Sequence, residues 1–265
     1  MPTAVFVHPH PDDEAIFTGG SMRRAADAGW RVVLVLATGG EEGTMPDWVT
    51  VDAADHRRME TAEAASVLGA AEVHHLGFRD SGMAGWATNR ASGALAASVD
   101  DATAVLARLL ERCGADAVVG QDPNGIYGHP DHVAVHRVVT GAAGAVGVDE
   151  VLEATIDRRW LGELRTERIR SGRLDPDAWC AAGLAGLGVA PVPGGWTAGV
   201  DDDPRPLVRV DLIDELVAKQ AAMAAHASQV PDAADFMGIP PGIFHRVLTH
   251  EWFLRRSGRP GSQVP

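Results

Sequence analysis

The sequence is poor in lysine, cysteine and tyrosine, and it has no long apolar run. Of its 23 basic residues only Lys219 is a lysine. Cys113 and Cys180 are too few and too scattered for a disulfide framework or a thiolate metal centre, and they read as two reduced thiols of a cytoplasmic protein. The chain is also short of positive charge. With 36 acidic residues against 23 basic ones the net charge is −13, which leaves no broad cationic surface for phosphates. A nucleic-acid partner is thereby excluded, and so is docking on an anionic membrane. No apolar stretch reaches the roughly 20 residues needed to span a bilayer. Met1-Pro2-Thr3 runs straight into a strand-like segment without a basic leader, so no signal peptide is expected.

What the chain does have is enough apolar material for a core, 46% of 265 residues. Ala4–Val7 reads as a buried strand. The prolines of His8-Pro9-His10-Pro11-Asp12-Asp13-Glu14 forbid a continuing strand or a helix interior there, so the segment is a loop at the strand's C-terminal end. A helix is expected from Glu14 to Ala28. The apolar run inside Arg31–Thr38 is the clearest buried strand, and it opens into the acidic glycine loop Thr38–Gly43. Further strands are expected at 72–76, 117–120, 151–156 and 207–212, with helices at 55–68, 100–113, from Asp131 onward and at 213–227. Strands alternating with helices predict an α/β fold, Rossmann-like, with a mostly parallel sheet and helices on both faces. The whole chain, 1–265, reads as a single domain, with 158–206 an insertion or cover over the site. In such folds the ligand site lies at the C-terminal strand ends, and the unusual polar residues fall in the loops there.

His10 and Asp13 lie on the first loop and His132 on the loop after the fourth strand. Two imidazoles and a carboxylate, with one open position, are the usual ligands of a catalytic zinc ion. Asp12, beside the ligand, is then free to act as general base on a water activated by the metal. In Tyr127-Gly128-His129-Pro130-Asp131-His132, an imidazolium at His129 held by the Asp131 carboxylate would serve as acid or oxyanion stabiliser, with Tyr127 donating a hydrogen bond to the same oxyanion.

These segments, His10–Glu14 and Tyr127–His132, resemble the PIG-L/LmbE-like family of zinc-dependent de-N-acetylases. Gly40-Glu41-Glu42-Gly43 matches that family's acidic glycine loop. Lys219 together with His226-Ala227-Ser228-Gln229 matches its C-terminal Lys…His-x-Ser/Thr-Gln segment. Arg79–Met83 and Asp122–Gly125 are similar to members acting in mycothiol metabolism, a deacetylase and an S-conjugate amidase. The resemblance implies zinc on His10, Asp13 and His132, with Fe(II) an alternative ion in the cell. It implies Asp12 as base, His129 with Asp131 as acid or oxyanion stabiliser, and Tyr127 as a mobile tyrosine. It implies that Arg57 and Asp80 grip sugar or inositol hydroxyls and that His226 reaches the site rim. Glu42 stands between contacting substrate and capping the next segment. The implied partner is a small amino-sugar conjugate; a homo-oligomer is compatible with the sequence and not derivable from it. One departure is Thr44, where the mycothiol-pathway deacetylase carries an acidic residue.

Other readings remain open at this level. His136, one turn after His132, offers a second His-x-x-x-His ligand pair, although its valine neighbours suit a packing role. His8, His74 and His75 suit structural roles, Arg57 can pair with Glu60, and Asp80 can serve as a turn former. Within the same chemistry, an S-conjugate amidase or a natural-product tailoring deacetylase competes with the sugar deacetylase. Outside it stands a nucleotide-binding α/β module, for which a lysine-free, acidic glycine loop is a poor phosphate cradle.

Overall fold

A computed structural model describes residues 1–157, 160, 170, 205, 207–229 and 249–258. The extended segments form β1 (Thr3–His8), β2 (Arg31–Thr38), β3 (Glu72–Phe78), β4 (Ala117–Gln121) and β5 (Glu150–Thr155). These five pair in parallel in the order β3-β2-β1-β4-β5. Two antiparallel strands extend the sheet beyond β5. β7 (His250–Ser257) lies against β5, and β6 (Leu207–Asp211) lies outside β7.

Strand periodicity sorts the side chains onto two faces. Ala4, Phe6, Val32 and Leu34 share a core with α1 (Gly19–Asp27), α2 (Ala53–Leu68) and α6 (Leu216–Ala225). Val5, Val7, Val33 and Val35 pack on α3 (Val99–Cys113) and on α5 (Pro130–Val146), which follows the short helical turn α4 (Gly125–Gly128). The fold is therefore α/β and Rossmann-like, as the alternation of elements predicts. From β1 the chain winds to β2 and β3 on one side, and β4 and β5 lie on the other. The crevice between the C-terminal ends of β1 and β4 is the topological switch point, where such sheets bind ligands.

Two features differ from the expected layout. The helix expected from Glu14 breaks in two: Glu14–Thr18 is a π-helical turn, and α1 starts only at Gly19, after Thr18 leaves helical geometry at φ −140°. π-turns of this kind occur frequently at functional sites. Strand β7, where Trp252, Phe253 and Leu254 are buried, was not expected at all. The insertion or cover segment assigned to 158–206 lies outside the described residues, save Trp160, Arg170 and Arg205. Among the described residues no helix is long and apolar enough to cross a membrane.

The single lysine is fully buried. Lys219 Nζ donates to Glu251 Oε1 at 2.6 Å, and both side chains are 1% exposed. The same carboxylate accepts the backbone N–H groups of Gly20 and Ser21, each at 2.9 Å, in the first turn of α1. β7, α1 and α6 are thus joined through one carboxylate that caps a helix N-terminus. Glu251→Ala is expected to lower the unfolding free energy by about 3–5 kcal/mol, because it strands a buried ammonium and two helix donors. A denaturant titration measures this, and a loss below about 1 kcal/mol would contradict it. Lys219→Met leaves the carboxylate its two backbone donors and is expected to cost less.

Candidate metal centre and active site

The loop after β1 carries His10 and Asp13, and His132, expected on a loop, lies instead in the first turn of α5; the three come together with one ligand-capable atom from each lying within 4.8 Å of the others. The Asp13 carboxylate joins them. Its Oδ2 accepts from the His10 backbone N–H at 3.0 Å and lies 3.2 Å from His10 Nδ1, and its Oδ1 lies 3.3 Å from His132 Nε2.

A chain of buried hydrogen bonds fixes the rings behind this cluster. His132 Nδ1–H donates to Gln121 Oε1 at 3.3 Å, and Gln121 Nε2 donates to His8 Nδ1 at 3.1 Å. His8 Nε2–H donates to Thr18 Oγ1 at 2.8 Å, and that hydroxyl donates to the Glu14 carbonyl at 3.2 Å. Each donor finds an acceptor in one direction only, so His132 keeps its proton on Nδ1 and leaves the Nε2 lone pair for a ligand. Such support behind a metal-binding histidine is a recurring device. Burial, with His10 and His8 nearby, pushes His132 down to about 3, which keeps the ring neutral. Gln121 carried no mark in the sequence; only its place at the end of a buried strand hints at a role.

The field in the crevice favours positive charge. Burial opposes ionisation of His10, yet Asp80, Asp13 and Asp131 hold it protonated well above the ordinary histidine range. Asp131 is fully buried and its Oδ1 has no partner among the described residues. Two imidazoles, a ligating carboxylate, surrounding acidic groups and an orphaned carboxylate oxygen together fit a divalent cation.

Asp12 sits beside the cluster, with its side chain 18% exposed. Its Oδ2 accepts from Arg57 Nη2 at 3.4 Å. Burial and the neighbouring Asp13 and Glu14 push its carboxyl up to about 7, against the pull of Arg57 and His226. Its backbone has φ 105°, a left-handed conformation that an L-residue holds only under constraint.

The second loop departs from expectation in one respect. His129 is the N-cap of α5, and its Nδ1 accepts the Asp131 backbone N–H at 3.1 Å. With Asp131 in the first helical turn, its carboxylate turns away from His129. It accepts instead from His10 Nε2 at 3.2 Å and from the Ser81 backbone N–H at 2.9 Å. The expected carboxylate support of the His129 ring is therefore replaced by a backbone amide. Since that amide can only donate, His129 carries its proton on Nε2, and burial together with His10 and His132 keeps it neutral. The Tyr127 hydroxyl lies 3.0 Å from His132 Nε2, in the same crevice.

The residues assigned to substrate hydroxyls separate. Glu42 lies half-buried in the acidic glycine loop, its backbone N–H donating to Asp80 Oδ2 at 3.3 Å. Asp80 is buried, accepts the Gly82 N–H at 2.8 Å, and lies 3.6 Å from His10 Nε2. Arg57 is 4% exposed and is held by protein acceptors: the Gly40 carbonyl at 2.7 Å, Gln229 Oε1 and Asp12. It does not pair with Glu60, which takes Ser228 instead. Gly40 has φ 71°, and a Cβ there would overlap the Arg57 guanidinium, so this approach requires glycine. His226 does not reach the rim. It is 0% exposed and bonds Glu14 Oε1 at 2.5 Å, a contact made across the core. His136 is no ligand alternative in this arrangement: its Nδ1 lies 3.2 Å from the Gln121 carbonyl and 3.3 Å from Glu153.

A 1D-myo-inositol 2-acetamido-2-deoxy-alpha-D-glucopyranoside deacetylase from Thermobispora bispora is 34% identical over 279 residues, covering 98% of this chain and 90% of that protein. Among solved structures, the N,N'-diacetylchitobiose deacetylase of Pyrococcus horikoshii superposes with a TM-score of 0.59 at 20% identity, covering 96% of this chain and 84% of its own. The 4-carboxy-2-hydroxymuconate hydratase of Pseudomonas putida has the same fold, with a TM-score of 0.57 at 16% identity, covering 99% of each chain. The fold alone therefore does not fix the reaction. The family model described as GlcNAc-PI de-N-acetylase matches residues 5–143, and with the 34% identity over nearly the full length the chain belongs to the PIG-L family.

Proposed function

We propose that the protein is a metal-dependent de-N-acetylase that hydrolyses the N-acetyl group, or a similar amide, of a glucosamine-type sugar conjugate. The observation that carries this reading is the meeting of His10, Asp13 and His132 with Asp12, Tyr127 and His129 in one crevice. The activity named for the 34%-identical relative supports the choice of an acetamido sugar. Zinc suits the donor set, and Fe(II) is also accepted by two imidazoles and a carboxylate. A divalent cation held there supplies Lewis-acid polarisation of the acyl oxygen and a lowered pKa for water.

The chain's own groups do the rest. Asp12, oriented by Arg57, takes the proton of the attacking water. The Nε2–H of His129 and the hydroxyl of Tyr127 donate to the oxyanion as the acyl carbon becomes tetrahedral. When the C–N bond breaks, the proton on Asp12 passes to the leaving amine, giving acetate and the free amino sugar. Glu42, half-buried in the acidic loop, is assigned a hydrogen bond from a sugar hydroxyl in this reading.

Acetate release from N-acetylglucosaminyl-inositol and N-acetylglucosamine, and release of the free amino sugar from a bimane–mycothiol conjugate, test this. The metal-loaded chain is expected to act on the inositol conjugate and to stop when a chelator removes the ion. Preference for the bimane conjugate would instead mark an S-conjugate amidase. No cleavage of any of the three with metal bound would overturn the reading.

A further inference from the structure

We propose that His226-Ala227-Ser228-Gln229 is a positioning segment for Asp12, holding its backbone through Glu14 and its side chain through Arg57. This rests on the reading of Asp12 as the base.

The first arm is a buried ion pair. His226 Nε2 donates to Glu14 Oε1 at 2.5 Å, and the other Glu14 oxygen accepts the Asp12 backbone N–H at 3.0 Å. On its far side, the Asp12 carbonyl accepts the N–H groups of Ala15 and Ile16 at 3.0 and 3.1 Å. A left-handed backbone at a non-glycine residue costs about 1–3 kcal/mol and persists only where its surroundings over-determine it. The Glu14 carboxylate is the side-chain part of that constraint, and His226 is what holds the carboxylate in place.

The second arm reaches the carboxylate. Gln229 Oε1 accepts from Arg57 Nη2, the nitrogen that also donates to Asp12 Oδ2. Arg57 Nη1 is tied to the Gly40 carbonyl, so the guanidinium is held between two acceptors while it faces the base. Gln229 also donates to the Thr44 carbonyl at 3.0 Å, fixing the far end of the acidic loop. Between the arms, the backbone N–H and hydroxyl of Ser228 both donate to Glu60, at 2.8 and 2.6 Å. Glu60 lies one helical turn from Arg57 on α2, so one bolt sets the height of both arms. His226, Ser228 and Gln229 are 0%, 3% and 7% exposed, which leaves no surface for a sugar.

Kinetics of the metal-loaded full chain on N-acetylglucosaminyl-inositol test the proposal. His226→Leu and Gln229→Met are each expected to lower kcat about 10- to 100-fold through misplacement of the base, with KM within about twofold and metal content unchanged. His226→Gln keeps an N–H donor at similar reach and is expected to recover most of the rate, which a loss of packing alone would not allow. A rise in KM at unchanged kcat would make these residues substrate contacts and overturn the proposal. So would unchanged kinetics, or a loss that merely tracks the folded fraction measured by circular dichroism. If the unmodified chain cleaves no acetamido substrate, the functional reading falls and the positioning role falls with it. An active parent with indifferent variants removes the positioning role alone.

Discussion

Asp12→Asn is expected to lower kcat by about 10²- to 10⁴-fold, the range typical for removal of a general base. Asparagine keeps the size of the side chain and an oxygen for the Arg57 hydrogen bond, but it cannot accept the proton. It also tolerates positive φ better than most residues, so the constrained backbone at φ 105° is retained. Metal content is therefore expected to stay near one ion per chain. Acetate release together with elemental analysis decides the matter, and full activity in this variant would remove Asp12 from the chemistry. Asp12→Ala is a poorer probe, since it adds backbone strain to the loss of the carboxylate.

His132→Ala is expected to abolish stable metal binding. The ring is fully buried, contributes the Nε2 atom next to Asp13, and leaves only two protein ligands when removed. His136 cannot replace it without giving up its place against the Gln121 carbonyl and Glu153. The variant also leaves Gln121 without its donor, at a stability cost of roughly 1–3 kcal/mol. Dialysis followed by metal analysis on folded protein measures the outcome. An ion retained as tightly as in the parent would mean that the ligand set is wrong.

The parallel part of the sheet was legible because β1, β2 and β4 are short apolar runs bounded by Pro, Gly or charged residues. The two His-Pro-Asp segments were legible because proline ends the strand run after β1 and opens α5 as its first residue after β4. Less of the supporting shell could be read. His226 meets Glu14 at a separation of 212 residues, and no helical period reveals a partner that distant. The direction of the Asp131 carboxylate follows from His129 serving as a helix cap, a geometric detail that the spacing of His129 and Asp131 does not contain. β7 escaped because its partner β5 lies about 100 residues earlier and its apolar centre is only Trp252, Phe253 and Leu254 between charged neighbours.

The burial of Lys219 has a practical consequence for anyone handling the protein. Apart from the amino terminus, the chain offers amine-reactive reagents only one target, and that target is 1% exposed beneath β7. While the fold is closed, an acylating label should mark the terminus alone. Modification of Lys219 then becomes a built-in clock for the opening of the region where α1, α6 and β7 meet, readable by peptide mass without introducing any foreign probe.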